Sequence, residues 1–116
     1  MLKISLTDQP TFTATVEVRF DVVHRFKVTF SVLDDETMNA ITRQHGQPDP
    51  DAAWIAEGDK QLLRQAWIGW DDIVDLDRQP IPFSDSARER LMSIIPIRVA
   101  VITAYYDNLA GARRKN

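Results

Sequence analysis

The sequence predicts an α+β fold: an N-terminal antiparallel β-hairpin of two or three strands, followed by about four helices packed with it as one domain. Apolar residues alternate with polar ones up to Leu33, then recur at helical spacing from Asp34 onward. The length adds a bound, because 116 residues bury about two thirds of their unfolded surface, enough for one core but not two. The expected organisation is a single domain over residues 1–116, mainly strand over 1–33 and mainly helical over 34–116.

Each element has its own signal. Phe12, Ala14, Val16, Val18 and Phe20 alternate with Thr11, Thr13, Thr15, Glu17 and Arg19, giving a strand with one apolar face. Phe26, Val28, Phe30 and Val32 repeat the pattern, and the short link Asp21 to His24 joins the two runs as an antiparallel hairpin. A lone hairpin is marginal in water, so its apolar face needs a cover. Ile4 and Leu6 are candidates for a third strand. Asp34 is placed to cap a helix that begins with Asp35 and Glu36, where the helix dipole favours acids, and that ends near His45-Gly46. Gly46, Pro48 and Pro50 make residues 44–50 a loop. A second helical stretch runs from about Asp51 to Gly69, with an interruption at Gly58-Asp59 allowed for; Leu62, Leu63, Ala66, Trp67 and Trp70 fall on a stripe roughly 140° wide.

Asp71 to Phe83 reads as an extended connector, acidic and then bounded by Pro80 and Pro82. Ser84 stands at an N-cap position, with Asp85 in the first turn of a helix through Ser93. Pro96 bends or restarts that helix, and the last helix, about Ile97 to Ala112, is apolar around most of its circumference. It is therefore either the central core helix or a core helix with a second apolar side for a partner.

Composition excludes several classes. With no cysteine, the chain has no disulfide framework, thiol nucleophile or cysteine-based metal site. No run approaches the roughly 18 apolar residues of a membrane span, and no export signal is visible, so the expected place is the cytosol. Charge is uneven within a net of −3: Met1 to Leu33 holds four basic against three acidic residues, Asp34 to Asp85 twelve acidic against four basic, and Ser86 to Asn116 six basic against two acidic. An acidic middle and a basic end suit self-association or a charged protein partner, although solvated faces are the commoner cause.

The chemistry-bearing residues form no catalytic pattern. His24 and His45 read as turn and helix-end residues with no acid or nucleophile nearby in sequence. Asp71, Asp72, Asp75 and Asp77 invite a calcium reading, but the loop motif from Asp75 needs Gly where Pro80 stands and Glu where Ser86 stands. Gly58-Asp59-Lys60 lacks the spaced glycines of a phosphate loop. Arg113, Arg114 and Lys115 cluster, yet the net charge is negative and Tyr105 and Tyr106 lie in an apolar helix, so nucleic acid is not the expected partner. The expectation is no enzyme, no metal and no cofactor. Trp67 and Trp70 suit an interface, where tryptophan is enriched, but two on one stripe are more often core.

The order of features carries a resemblance. The hairpin ending in Phe26-Lys27-Val28-Thr29-Phe30 is followed by an acid-capped helix and by Leu62-Leu63-Arg64-Gln65-Ala66-Trp67-Ile68-Gly69-Trp70-Asp71-Asp72-Ile73-Val74. Pro80-Ile81-Pro82-Phe83-Ser84, Ala104-Tyr105-Tyr106 and a closing Arg114-Lys115-Asn116 complete the series. This order, over about residues 12–116, resembles the tail assembly chaperones of long-tailed bacteriophages and prophages. One departure is visible: similar sequences often carry a glycine in the turn after the acidic run, where this chain has Arg78-Gln79.

The resemblance implies a non-enzymatic protein of the host cytoplasm that binds the tape-measure protein, helps recruit tail-tube subunits and then leaves. Genes of such chaperones often yield a longer product by programmed frameshifting. From the apolar last helix and the uneven charge, partner or self contacts are expected from Val99, Ile102, Tyr106 and Leu109 with Trp67 and Trp70, and from Arg113 and Arg114 against the acidic middle of a neighbouring copy. A minor structural or head-to-tail connector protein of the particle, or a small bacterial protein-binding adaptor, are the alternatives.

Overall fold

The alternating runs form two nine-residue strands, β1 (Thr11–Arg19) and β2 (Val23–Ser31), paired antiparallel without a register break. In the computed structural model residues 1–45 and 52–109 are described, with backbone only at 44, 45 and 52–54. Of the loop predicted at 44–50, residues 44 and 45 belong instead to a helix, while 46–50 and the basic end at 113–115 lie outside the described residues. His24 belongs to β2 rather than to the turn, which is confined to Phe20, Asp21 and Val22 and is held by the Asp21 carboxylate accepting from Val22 N–H at 2.8 Å. Val16, Val18, Phe26, Val28 and Phe30 are buried on the apolar face, as the two-residue period requires.

The third strand is real but is not the one expected. Ile4 and Leu6 are exposed and form no strand. The sheet is instead completed by β3 (Trp67–Asp71), antiparallel to β2, in the order β1-β2-β3. The helix expected to continue to Gly69 stops at Ala66, so the single stripe drawn through Leu62 and Trp70 joins two elements with different periods. Leu62, Leu63 and Ala66 belong to a helix face, whereas Trp67 and Trp70 reach the same core from a strand. The pairing of Val28 with Trp70 and of Phe30 with Trp67 contains a bulge between Thr29 and Phe30, which absorbs the extra residue between the two tryptophans. Tertiary pairing with β2 overrides the helical stripe.

The helices follow their caps. Asp34 accepts from Thr37 N–H at 2.9 Å and starts α1 (Asp35–His45), and this bond holds its carboxyl below the usual carboxylate range. Helix α2 (Ala52–Ala66) runs through Gly58-Asp59 without interruption. Ser84 accepts from Ala87 N–H at 3.1 Å and starts α3 (Asp85–Met92). Pro96 restarts rather than bends the chain, since α4 (Ile95–Leu109) is a separate helix with the proline in its first turn, where its missing N–H has no intrahelical role. Two buried arginines tie these segments together. Arg88 donates to the Trp67 carbonyl and Arg98 to the Met92 carbonyl, each at 2.9 Å. One hydrophobic cluster joins the sheet, α1, α2, α3 and α4, with Trp67, Tyr105, Phe30, Leu63 and Met92 at its centre.

The expected connector between Asp71 and Phe83 is a small hairpin. Ile81 N–H donates to the Ile73 carbonyl and Asp75 N–H to the Gln79 carbonyl, each at 2.9 Å, and Val74 bridges to Pro80. The Asp75 carboxylate accepts from Asp77 and Gln79 N–H, so this acid closes a turn. Arg78 has φ 63°, the left-handed conformation that glycine takes at this point of a three-residue hairpin loop. An arginine thus stands in a backbone conformation that favours glycine.

Candidate partner-binding surface

Helix α4 lies across the sheet and presents two apolar sides. Its inner side is fixed by Tyr105, fully buried, whose ring stands edge-on to Phe30 with centroids 5.0 Å apart. The hydroxyl accepts from Leu33 N–H at 3.0 Å and donates to the Ser31 carbonyl at 3.2 Å, closing the end of β2. Val101 and the Arg98 side chain are buried beside it.

The outer side is a stripe at i, i+4, i+11 and i+14: Ile95, Val99, Tyr106 and Leu109. These residues are exposed by 61%, 50%, 47% and 38%, two apolar pairs on one side of the helix. Ile102, expected among them at i+7, is only 8% exposed and belongs to the core cluster, so the fold already occupies the middle of the stripe. Ile95 is the residue missed by starting the helix at Ile97; its four-residue spacing to Val99 was the available signal.

The two tryptophans lie on β3. Trp67 is fully buried and its Nε1–H donates to the Gly69 carbonyl at 3.1 Å. Trp70 is half-buried, donates to the Ile81 carbonyl at 2.7 Å and meets the Phe83 ring edge-on at 4.8 Å. Trp67 therefore has no face to offer a partner, while Trp70 keeps a partial one. Arg113 and Arg114 lie outside the described residues.

Beside the outer stripe lies a cleft of about 190 Å³ between α1, α2 and α4, lined by Met38, Ile41, Asp59, Leu62 and Tyr106. Burial raises the Asp59 carboxyl against the pull of Arg98, and burial together with Asp59 raises the Tyr106 hydroxyl. The cleft thus mixes apolar walls from Met38, Ile41 and Leu62 with polar ones from Thr42 and Asp59. A second apolar groove, about 230 Å³, runs between the hairpin end and the α3–α4 junction. Phe20 and Val74, each 49% exposed, stand at it. Phe20 was legible only as the last apolar residue of the first alternating run, though the structure puts it in the turn, and Val74 was hidden in what read as a plain connector.

Among the described residues no three His, Asp or Glu side chains gather as a metal-holding group, and no described helix is long and apolar enough to cross a membrane. No curated protein and no solved structure matches the chain. A family model described as phage tail assembly chaperone matches residues 1–116. Together with the α+β architecture and the order of features along it, a match over the whole length places this chain in the phage tail assembly chaperone family.

Proposed function

We propose that this chaperone binds the tape-measure protein through the outer side of α4 and helps recruit tail-tube subunits to it in the host cytoplasm before the tail is complete. The observation that carries the reading is the exposed stripe Ile95, Val99, Tyr106 and Leu109 on a helix whose other side is already packed. A long helical protein with apolar stripes aggregates unless covered, and a short apolar helix face is a matching cover. Many weak contacts along one long chain sum through effective concentration, and each stays weak enough for displacement by tube subunits. Trp70, half-buried on β3, offers a further partial face, and Trp67 and Ile102 belong to the core. The basic end with Arg113 and Arg114 meets the acidic middle of a neighbouring copy, so that copies line up on the tape measure. This is a binding role without catalysis.

The test is purification of the tagged chain from phage-producing cells, with mass spectrometry of its companions and of finished particles. Tape-measure and tube proteins should accompany the chain, and the chain should be absent from particles. Its presence in particles would make it a structural component, and recovery of host proteins alone would make it an adaptor.

A further inference from the structure

The two edges of the sheet differ in a way that assigns one of them a partner. Strand β3 is a blunted edge: five residues long, bulged against β2, and followed by Asp72 at φ 68°. Strand β1 is nine residues long, carries no bulge, proline or lysine, and has β2 as its one strand neighbour among the described residues. Soluble proteins ordinarily interrupt an edge of that length and regularity unless it is paired.

The register shows which backbone groups are unpaired. In an antiparallel ladder, pairs that exchange both bonds alternate with pairs that exchange none. Val32 N–H donates to the Pro10 carbonyl and Phe20 N–H to the Val22 carbonyl, so the even-numbered residues of β1 bond to β2. The N–H and C=O groups of Thr11, Thr13, Thr15, Glu17 and Arg19 therefore point outward. Beside this edge, between β1 and α4, lies an open groove of about 460 Å³ whose α4 wall is Ala100, Thr103, Ala104, Asp107 and Asn108.

We infer that the occupant is a second copy of this chain, its β1 antiparallel to the first about a two-fold axis at Thr15, so that two three-stranded sheets become one of six strands. This is the register that uses every outward group. It sets Thr15 against Thr15, Thr13 against Glu17 and Thr11 against Arg19 on the polar face. On the apolar face it sets Ala14 against Val16 and Phe12 against Val18 of the other copy. No like charges meet, and Glu17 enters the seam already neutralised by Arg25 at 2.8 Å. A slide of the strands by four residues, which moves the two-fold axis to Glu17 and sets Glu17 against Glu17, is disfavoured. The pairing is isologous, as in most two-fold dimers. It is independent of the tape-measure reading, since it is a property of the purified chain, and it would carry two α4 surfaces on one dimer.

The experiment is sedimentation equilibrium of the full chain with single variants. The natural chain should show a concentration-dependent dimer. Thr15→Pro removes an outward N–H and no bond to β2, so it should leave the far-ultraviolet circular dichroism unchanged and weaken the dimer by about 100-fold or more. Because the chain has no cysteine, Thr15→Cys gives a clean second readout. The facing α-carbons sit about 5.5 Å apart, within disulfide range, and oxidation should yield a covalent dimer. Glu17→Cys, about 14 Å from its mate in this register, should not cross-link. A chain that stays monomeric at every concentration, a dimer indifferent to Thr15→Pro, or equal cross-linking by both cysteine variants overturns the inference. Should Thr15→Pro disturb the fold, the two cysteine variants decide the matter alone.

Discussion

The inner and outer sides of α4 are both apolar in sequence, yet Tyr105 and its neighbour Tyr106 lie on opposite sides of the line between fold and surface. Tyr105 is fully buried with both hydrogen-bonding capacities of its hydroxyl used inside the chain. Tyr106 is 47% exposed, and its hydroxyl sits beside the acidic wall of a cleft. A helix that is apolar on most sides has more sticky surface than one small sheet can cover, and the excess is what a binding protein can use. The difference also gives a criterion: inner substitutions should move stability, and outer ones should move capture of partners.

The largest expected effect belongs to the inner set. Trp67→Ala removes the biggest fully buried side chain and should cost about 3–5 kcal/mol, enough to unfold a small domain of ordinary stability. Urea unfolding followed by circular dichroism measures it, and a loss below about 1 kcal/mol would mean that Trp67 does not hold the core. Tyr105→Phe keeps the ring but leaves Leu33 N–H and the Ser31 carbonyl without their partner, at a cost of about 1–3 kcal/mol. The sharper readout is hydrogen exchange at the Leu33 amide, which should quicken more than that of amides in the centre of β2.

Much of this inner architecture was legible in the sequence, and the parts that were not share a cause. The β1–β2 alternation, the Asp34 and Ser84 caps and the restart at Pro96 are local signals, decided by neighbours within a few residues. Strand β3 was not legible, because Trp67 and Trp70 continue the helical stripe of Leu62, Leu63 and Ala66 by coincidence of spacing. Only their pairing with β2, about forty residues earlier, separates the two. The surface was half legible. Val99, Tyr106 and Leu109 were readable from the spacing on an over-apolar helix, whereas the burial of Ile102 and the exposure of Phe20 and Val74 depend on which elements pack against them.

Between the two sets lies the acidic hairpin, where a surface residue serves the fold at a cost. Arg78 holds a left-handed conformation that carries a penalty of about 1–2 kcal/mol for a residue with a β-carbon. Arg78→Gly removes that penalty while freeing the unfolded chain, and the net gain should be about 1 kcal/mol, seen as a higher melting temperature. An unchanged or lower melting temperature would show that the arginine side chain contributes something the turn geometry does not reveal. A smaller, pH-dependent term comes from Arg64, which bridges Glu89 at 2.7 Å and Glu57 at 3.1 Å across α2 and α3. Its hydrogen bonds depress both carboxyls, so their stabilisation is present above the ordinary glutamate range and lost as pH falls through the depressed values. Since all three groups are partly solvated, the term is under about 1 kcal/mol, and Arg64→Met should flatten the decline of stability between neutral and acid pH.

The smallest effect on folding and the largest on capture should meet at Tyr106→Ala. Half of the side chain is already in water, so its removal should cost about 1 kcal/mol or less. The circular dichroism spectrum should stay native. If the outer stripe carries the partner, the same variant should lose most of the tape-measure protein recovered with the tagged chain. Val99→Lys should do likewise, since it sets a charge on the stripe at a half-exposed position. A Tyr106→Ala chain that unfolds would move the residue into the inner set and leave α4 as a core helix only. A chain that stays folded and captures its partner undiminished would place the binding surface elsewhere, with the groove at Phe20 and Val74 next in line.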